Sequence, residues 1–71
     1  MSKACFEFVV YIIHACAKKW KMTPGQVYQL IEQKGCVSQY LVPFYEVLHT
    51  QGTNYLVCDI EEYMKKRGVV L

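Results

Sequence analysis

The opening segment of the chain, residues 3–20, is hydrophobic on nearly every side when it is placed on a helix. Its apolar residues form one stripe at helical spacing and a second group opposite: Phe6, Val9, Val10, Ile13, Ala17 and Trp20, then Phe8, Tyr11, Ile12 and Ala15. The β-branched run 9–13 is also compatible with a strand, but the stripe continues to Trp20 and favours a helix. Since such a helix must be buried on most sides, either the other helices wrap around it or a second copy covers it.

The length of the chain limits how much apolar surface it can hide. Seventy-one residues are enough for one small helical domain, which we predict to span residues 1–71. A domain of about 60 residues buries only about 60% of the surface that its unfolded chain exposes, yet 54% of these residues are hydrophobic. The surplus predicts a dense core or an apolar patch that a partner covers.

The second helix has the clearest boundaries in the sequence. Thr23 is a good N-cap, Pro24 suits the first helical position, and Gln26 completes a Thr-x-x-Gln capping box. Gly35 is the expected stop at the C-terminal end. The inward face is predicted to comprise Val27, Leu30 and Ile31, with Tyr28 flanking it.

The second half of the chain predicts shorter helical pieces. Ser38 can cap a short turn through residues 40–42, and Pro43 either breaks it or begins a new helix that carries Phe44, Val47 and Leu48. A last helix follows a Thr53 or Asn54 cap and runs to about Arg67. Its predicted core stripe is Leu56, Val57, Ile60, Tyr63 and Met64, and Gly68 closes it. The predicted fold is therefore all-α, a compact bundle of four to five short helices.

Charge gives little reason to expect an anionic partner. The net charge is +2, and the basic clusters fall at predicted helix C-termini, where cations stabilise the helix dipole: Lys18, Lys19 and Lys21, then Lys65, Lys66 and Arg67. The longest apolar stretch, residues 8–17, is far shorter than the ~20 residues that a bilayer requires. We expect no membrane span, and we disfavour nucleic acid as a partner.

A helix-turn-helix-like DNA-binding regulator is the alternative function. The second helix, the turn at Gly35 and the following segment resemble that motif in outline. A recognition helix carries Arg, Lys, Asn or Gln towards bases and phosphates. Between Ser38 and Thr50 the chain offers Gln39 but no Lys or Arg, and it contains Glu46.

The cysteines and histidines do not form a recognisable catalytic or metal motif. Cys5, Cys16, Cys36 and Cys58 lack the spacing of a zinc site, and His14 and Cys16 point to different sides of one helix. We expect that the first helix belongs to the fold and is not a signal peptide, that the thiols are buried and reduced, and that the protein is cytoplasmic. The prediction is a non-catalytic protein without a metal or other cofactor.

One family is similar to this sequence over nearly its whole length. The resemblance is carried by residues 41–52 (LVPFYEVLHTQG), 55–57 (YLV), 59–60 (DI), 7–11 (EFVVY) and 22–28 (MTPGQVY). The chain resembles the bacterial domain of unknown function 3791 (DUF3791). It departs from the family pattern at Glu46, where Asp is usual, and at Cys58, where an acidic residue is usual.

The resemblance implies a small bacterial, intracellular helical protein with no established activity. Members of this family are often encoded beside a second family that resembles ADP-ribosyltransferase toxins. A protein-interaction module, either an accessory or an antitoxin-like partner of such a toxin, is therefore the implied function. A homodimer is the other form of protein partner that we consider.

The candidate partner contacts lie in two places. The stretch 48–52 is the most specific part of the family resemblance, although the structure of a helix end is the preferred explanation of His49 and Gly52. The apolar C-terminal tail is the second place. The predicted contact residues are Tyr45, His49, Gln51, Val69 and Val70.

Overall fold

Four α-helices and one π-helical turn make up the computed structural model, which describes residues 1–70. The elements are α1 (Lys3–Trp20), α2 (Pro24–Gln33), the π turn (Val37–Leu41), α3 (Tyr45–Leu48) and α4 (Thr53–Lys65). No strand occurs within residues 1–70. The predicted all-α class is confirmed.

The first helix has the predicted bounds. The Ser2 hydroxyl caps its N-terminus by accepting a hydrogen bond from the Cys5 amide at 3.1 Å. At its C-terminal end Lys21 adopts the left-handed conformation, with φ 57° and ψ 46°. The Met22 amide then donates to the Ala17 carbonyl at 3.0 Å. This bond turns the chain back towards α2.

The buried face of α1 differs from the predicted stripe. Its buried residues are Cys5, Val9, Ile12, Ile13, Cys16 and Ala17. Phe6 is 56% exposed, while Val10 and Trp20 are only half-buried. The prediction placed Phe6, Val10 and Trp20 in the core, whereas the small thiols of Cys5 and Cys16 are buried. Small side chains there allow neighbouring helices to pack close to α1.

Local sequence signals set the limits of α2. Thr23 and Gln26 form the predicted capping box, with Thr23 N to Gln26 Oε1 at 3.0 Å and Gln26 N to Thr23 Oγ1 at 3.2 Å. Gly35 follows the helix with φ +74°, and a Cβ atom there would lie 2.9 Å from Gln39 Cδ. The left-handed conformation therefore favours glycine here, whereas the exposed Gln39 side chain could move aside for a Cβ atom.

The segment after α2 departs most from prediction. Ser38 caps no turn; its hydroxyl donates instead to Glu32 at 2.6 Å. The π turn buries Val37 and Leu41 and closes with Val42 N to Val37 O at 3.0 Å. The short helix α3 buries only Leu48.

Two apolar side chains of this segment are exposed, Phe44 at 52% and Val47 at 62%. A helix of four residues makes little more than one turn, so it turns only one side chain fully into the core.

The last helix keeps its predicted core but not its predicted cap. Gly52 is the N-cap and provides no side-chain bond, whereas Thr53 is the first helical residue. The helix ends at Lys65, close to the predicted end at about Arg67, and Gly68 closes it in a Schellman turn as predicted: Val69 N donates to Met64 O at 3.1 Å, and Gly68 has φ +83°. Four of the five predicted core residues are buried, and Tyr63 is half-buried.

Helices α1 and α4 run in the same direction. Tyr11 shares a hydrogen bond with Thr53 at 2.5 Å. Eight or nine positions later on both helices, Trp20 Nε1 donates to Glu61 Oε2 at 2.7 Å and Lys19 Nζ lies 3.2 Å from Glu61 Oε1. These contacts fix the register between the two helices.

The chain completes a core without help from a partner. Its accessible surface is 4650 Å², against about 4,600 Å² expected for a folded monomer of this size. Its radius of gyration is 11.0 Å, against about 11 Å expected.

Replacement of Lys21 by glycine is expected to stabilise the protein. A non-glycine residue in the left-handed conformation carries a steric cost of about 1 kcal/mol, which Lys21→Gly removes. Urea unfolding should show the gain for Lys21→Gly and none for Lys21→Ala. Equal stability of Lys21→Gly and Lys21→Ala would contradict the steric explanation.

The Glu61 contacts predict a pH dependence of stability. The Trp20 hydrogen bond, followed by Lys19, holds the pKa of Glu61 below its ordinary value. The stabilisation is therefore complete above the unfolded-state pKa of about 4.5 and is lost as the pH falls through the lower folded-state pKa. We expect Glu61→Gln to destabilise the protein by about 1 kcal/mol at pH 7.

Urea unfolding across a pH series measures this effect. The difference between the wild type and Glu61→Gln should shrink as the pH falls below 4.5. The neighbouring, exposed Glu62 provides the matched control, because Glu62→Gln leaves the contacts with Trp20 and Lys19 intact. A difference that does not change with pH would contradict the prediction.

Candidate functional site

An apolar groove lies between the first half of α1, the outer face of α2 and the π turn. We call it the α1–α2 groove; its volume is about 610 Å³. It is lined by Met1, Phe6, Val9, Val10, Ile13, Tyr28, Glu32, Val37, Ser38 and Val42. The groove therefore draws its residues from three consecutive elements.

The floor and the rim of this groove differ in exposure. Val9, Ile13 and Val37 belong to the buried core and form the floor. At the rim, Phe6 is 56% exposed and Tyr28 is 45% exposed. Two aromatic rings therefore stand beside apolar floor residues, an arrangement typical of surfaces that bind other molecules.

Glu32 is the one charged side chain among the residues that line the groove. One carboxylate oxygen accepts from the Ser38 hydroxyl at 2.6 Å, and the other accepts from the Ser38 amide at 3.3 Å. These bonds hold the carboxylate at the π-turn side. The groove is thus apolar with one fixed negative charge.

Three of the predicted contact residues, Tyr45, His49 and Gln51, lie in α3 or directly after it. The Tyr45 ring stacks on His49 with centroids 4.7 Å apart and meets Phe8 edge-on at 5.4 Å. His49 Nε2 lies 4.0 Å from a Glu46 carboxylate oxygen. Gln51 is exposed, and its backbone N–H donates to the Leu48 carbonyl at 3.0 Å. The structure brings Tyr45 and His49 together, with Tyr45 half-buried.

The other two predicted contacts lie elsewhere. Val69 is half-buried against the core, whereas Val70 is 96% exposed. Val70 borders a groove with Trp20 and Leu30. Since Phe8, which contacts Tyr45, precedes Trp20 by twelve residues of α1, the two sets are separated by about 18 Å along that helix. They do not form one site.

The thiols differ sharply in accessibility. Burial is the main cause that raises the pKa of Cys16 and of Cys36 to about 12 each. At neutral pH both are therefore protonated and poor nucleophiles. Cys58 is exposed, with Lys19 Nζ 3.9 Å from its sulfur. Within residues 1–70, no three His, Cys, Asp or Glu side chains converge as metal ligands.

An aromatic ladder joins the π turn to α4. Tyr40 stacks on Tyr63 with centroids 5.4 Å apart, and the Arg67 guanidinium lies 3.5 Å from the centre of the Tyr63 ring. The Tyr40 hydroxyl donates to Asp59, and burial together with this bond raises the pKa of Tyr40. Tyr63 in turn donates to the Lys34 carbonyl at 2.9 Å. These contacts stabilise the fold.

The segment after α2 does not support the DNA-binding alternative. It contains the five-residue π turn and the four-residue α3. Ser38 is engaged by Glu32, and Gln39 is the exposed polar side chain that follows. No observation in this segment favours contact with bases.

Sequence reasoning did not single out the α1–α2 groove. It identified α1 as a helix that must be buried on most sides, by the other helices or by a second copy, and it counted Phe6 in the apolar stripe. The exposed Tyr28 was placed beside the inward face of α2. Only the packing of α2 and the π turn against α1 makes these two residues neighbours of one groove.

The fold and this surface define a small all-α domain with an exposed apolar groove. Residues 7–67 match the family described as "Protein of unknown function (DUF3791)", and the chain belongs to that family. The resemblance found in the sequence is confirmed. No curated protein and no solved structure matches the chain.

None of the helices within residues 1–70 is long and apolar enough to cross a membrane.

Thiol labelling of the native protein should be selective. We expect iodoacetamide to alkylate Cys58 at least about tenfold faster than the other three cysteines, because they are buried. Mass spectrometry of digested samples measures each rate, and labelling in urea gives the unfolded reference. Comparable native rates at Cys16 and Cys58 would contradict the described packing.

Proposed function

We propose that this protein is a non-catalytic protein-interaction module that binds an amphipathic helix of a partner in the α1–α2 groove. The observation that carries the proposal is the pair of exposed rings, Phe6 and Tyr28, beside the apolar floor. Aromatic residues next to apolar pockets are the usual energetic centres of protein interfaces. The proposal gives a role to apolar surface that the core leaves uncovered.

The shape of the groove favours a helix as its occupant. Its walls are helix faces, and an amphipathic helix binds such a groove through residues spaced by three or four positions. An extended peptide usually adds to the edge of a sheet, and residues 1–70 contain no strand. The bound helix is therefore expected to present aliphatic side chains to Phe6, Val10 and Tyr28.

The charge of the groove adds one requirement. Because Glu32 is the one charged side chain in the lining, a Lys or Arg on the partner helix complements it near Ser38. An exposed ion pair contributes up to about 1 kcal/mol, whereas burial of an aromatic ring contributes about 1.5–3 kcal/mol. Charge therefore orients the helix, and apolar contact supplies most of the affinity.

The partner is the ADP-ribosyltransferase-like protein that the family resemblance implies, so the module is an accessory or antitoxin-like protein. We propose a different protein, and not a second copy of this chain, as the occupant of the groove. The proposal places the module in the cytoplasm, since three of the four thiols serve as buried packing groups.

Loss of either rim ring is expected to weaken binding. We predict that Phe6→Glu and Tyr28→Glu each raise the Kd for the ADP-ribosyltransferase-like protein by about 10- to 100-fold, since each removes an apolar contact and adds a charge that is costly to bury against apolar side chains. Tyr55→Glu, at a tyrosine that is 60% exposed but lies outside the groove, is the matched control and should bind normally. Isothermal titration calorimetry measures all three.

The contact residues predicted from the sequence, among them His49 and Val70, provide the test of an alternative binding surface. If His49→Ala or Val70→Asp abolishes binding while Phe6→Glu and Tyr28→Glu bind normally, the partner uses the predicted residues and the groove proposal is wrong. Absence of complex formation by the wild type, or a stable dimer that buries Phe6, would also contradict the proposal. Circular dichroism of each variant establishes that it is folded.

A further inference from the structure

We propose that a second groove, between α1 and α4, binds a small organic carboxylate with an apolar body. This α1–α4 groove has a volume of about 860 Å³, within the range of small-molecule sites. It is lined by Tyr11, His14, Ala15, Lys18, Lys19, Thr53, Asn54, Val57 and Cys58. The inference is independent of the α1–α2 groove, with which it shares no lining residue.

Side-chain contacts close this groove at both ends. At one end Tyr11 and Thr53 share a hydrogen bond of 2.5 Å. At the other, Lys19 Nζ lies 3.9 Å from Cys58 Sγ and 3.2 Å from Glu61 Oε1. Tyr11 and Lys19 are eight residues apart, which spans about 12 Å of helix. The α1–α4 groove is therefore a trough that is bounded at both ends. A trough of this length fits a small molecule better than a polypeptide that continues past its ends.

The middle of the trough is apolar. Val57 is buried and Ala15 is half-buried, and both lie between the two bridged ends. Alanine leaves more room there than any larger side chain would. A flat aromatic or aliphatic body can therefore lie on Ala15 and Val57 beside the Tyr11 ring.

The polar groups of the trough select an anion. Three of its lining residues are basic and none is acidic. Lys19 is already paired with Glu61, and His14 uses Nδ1 to bond the Val10 carbonyl at 2.9 Å. Lys18, one helical turn after His14, has no ion-pair partner among residues 1–70. One unpaired cation matches one carboxylate.

Cys58 provides a local reporter for occupancy of the trough. Its thiolate displaces iodide from iodoacetamide, so that a carbon–sulfur bond forms as the carbon–iodine bond breaks. The probes are 2-naphthoate and its neutral isostere, 2-naphthamide. We expect saturating 2-naphthoate to slow the alkylation of Cys58 at least about fivefold, and the amide at the same concentration to slow it far less.

Two lysine variants test whether Lys18 contacts the carboxylate of 2-naphthoate. Lys18→Met is expected to raise the 2-naphthoate concentration that gives half-protection by about fivefold. Lys65→Met, on the last turn of α4 and outside the trough, should leave it unchanged. Both lysines are exposed, so both variants should fold. The readout is the rate at Cys58 alone, followed by mass spectrometry.

Three results with the probes and with Lys18→Met would overturn the proposal. These are no protection by 2-naphthoate, equal protection by acid and amide, and protection that Lys18→Met leaves unchanged. Ala15→Phe, which fills the trough, is expected to remove protection, and retained protection in that variant would place the ligand elsewhere. Because the experiment contains no protein partner, its failure leaves the test of the α1–α2 groove unaffected.

Discussion

The length of α1 relative to the helices that pack against it is the constraint on which this structure depends. Eighteen residues give α1 a length of about 27 Å, whereas the ten residues of α2 and the thirteen of α4 give about 15 and 20 Å. The shorter helices bury the inner face of α1 at its centre, where Ile12 and Cys16 have no exposed surface, whereas Tyr11 and His14 of the same stretch are exposed. The shorter helices cannot cover the flanks of α1. An apolar helix in so short a chain therefore leaves two grooves beside it.

The two grooves differ because α2 and α4 bring different chemistry to α1. On the α2 side, Tyr28 and Glu32 line the α1–α2 groove together with Phe6 and Val10. This groove is therefore apolar with one negatively charged side chain. On the α4 side, Thr53 and neighbouring residues face His14 and Lys18, with no acidic lining residue. One helix thus separates a surface suited to a partner helix from one suited to a small anion.

The sequence was most informative where structure depends on local contacts. The capping box at Thr23 and the bounds of α1 follow from nearby residues, and both were predicted. The buried face of α1 was misplaced because a helix that is apolar all round offers no polar side to orient it. The π turn and the juxtaposition of Phe6 with Tyr28 depend on packing between separate elements, which periodicity does not encode. Tyr45 and His49 meet because they are four residues apart on one helical turn.

Fluorine NMR of the protein labelled with 4-fluorophenylalanine tests the groove proposal most directly. The chain has three phenylalanines, of which Phe6 and Phe44 are similarly exposed and Phe8 is half-buried. In the free protein, a soluble paramagnetic agent should broaden the Phe6 and Phe44 signals more than that of Phe8. Addition of the ADP-ribosyltransferase-like partner should protect Phe6 and leave Phe44 broadened. Protection of Phe44 instead, or of Phe6 already in the free protein, would contradict the account.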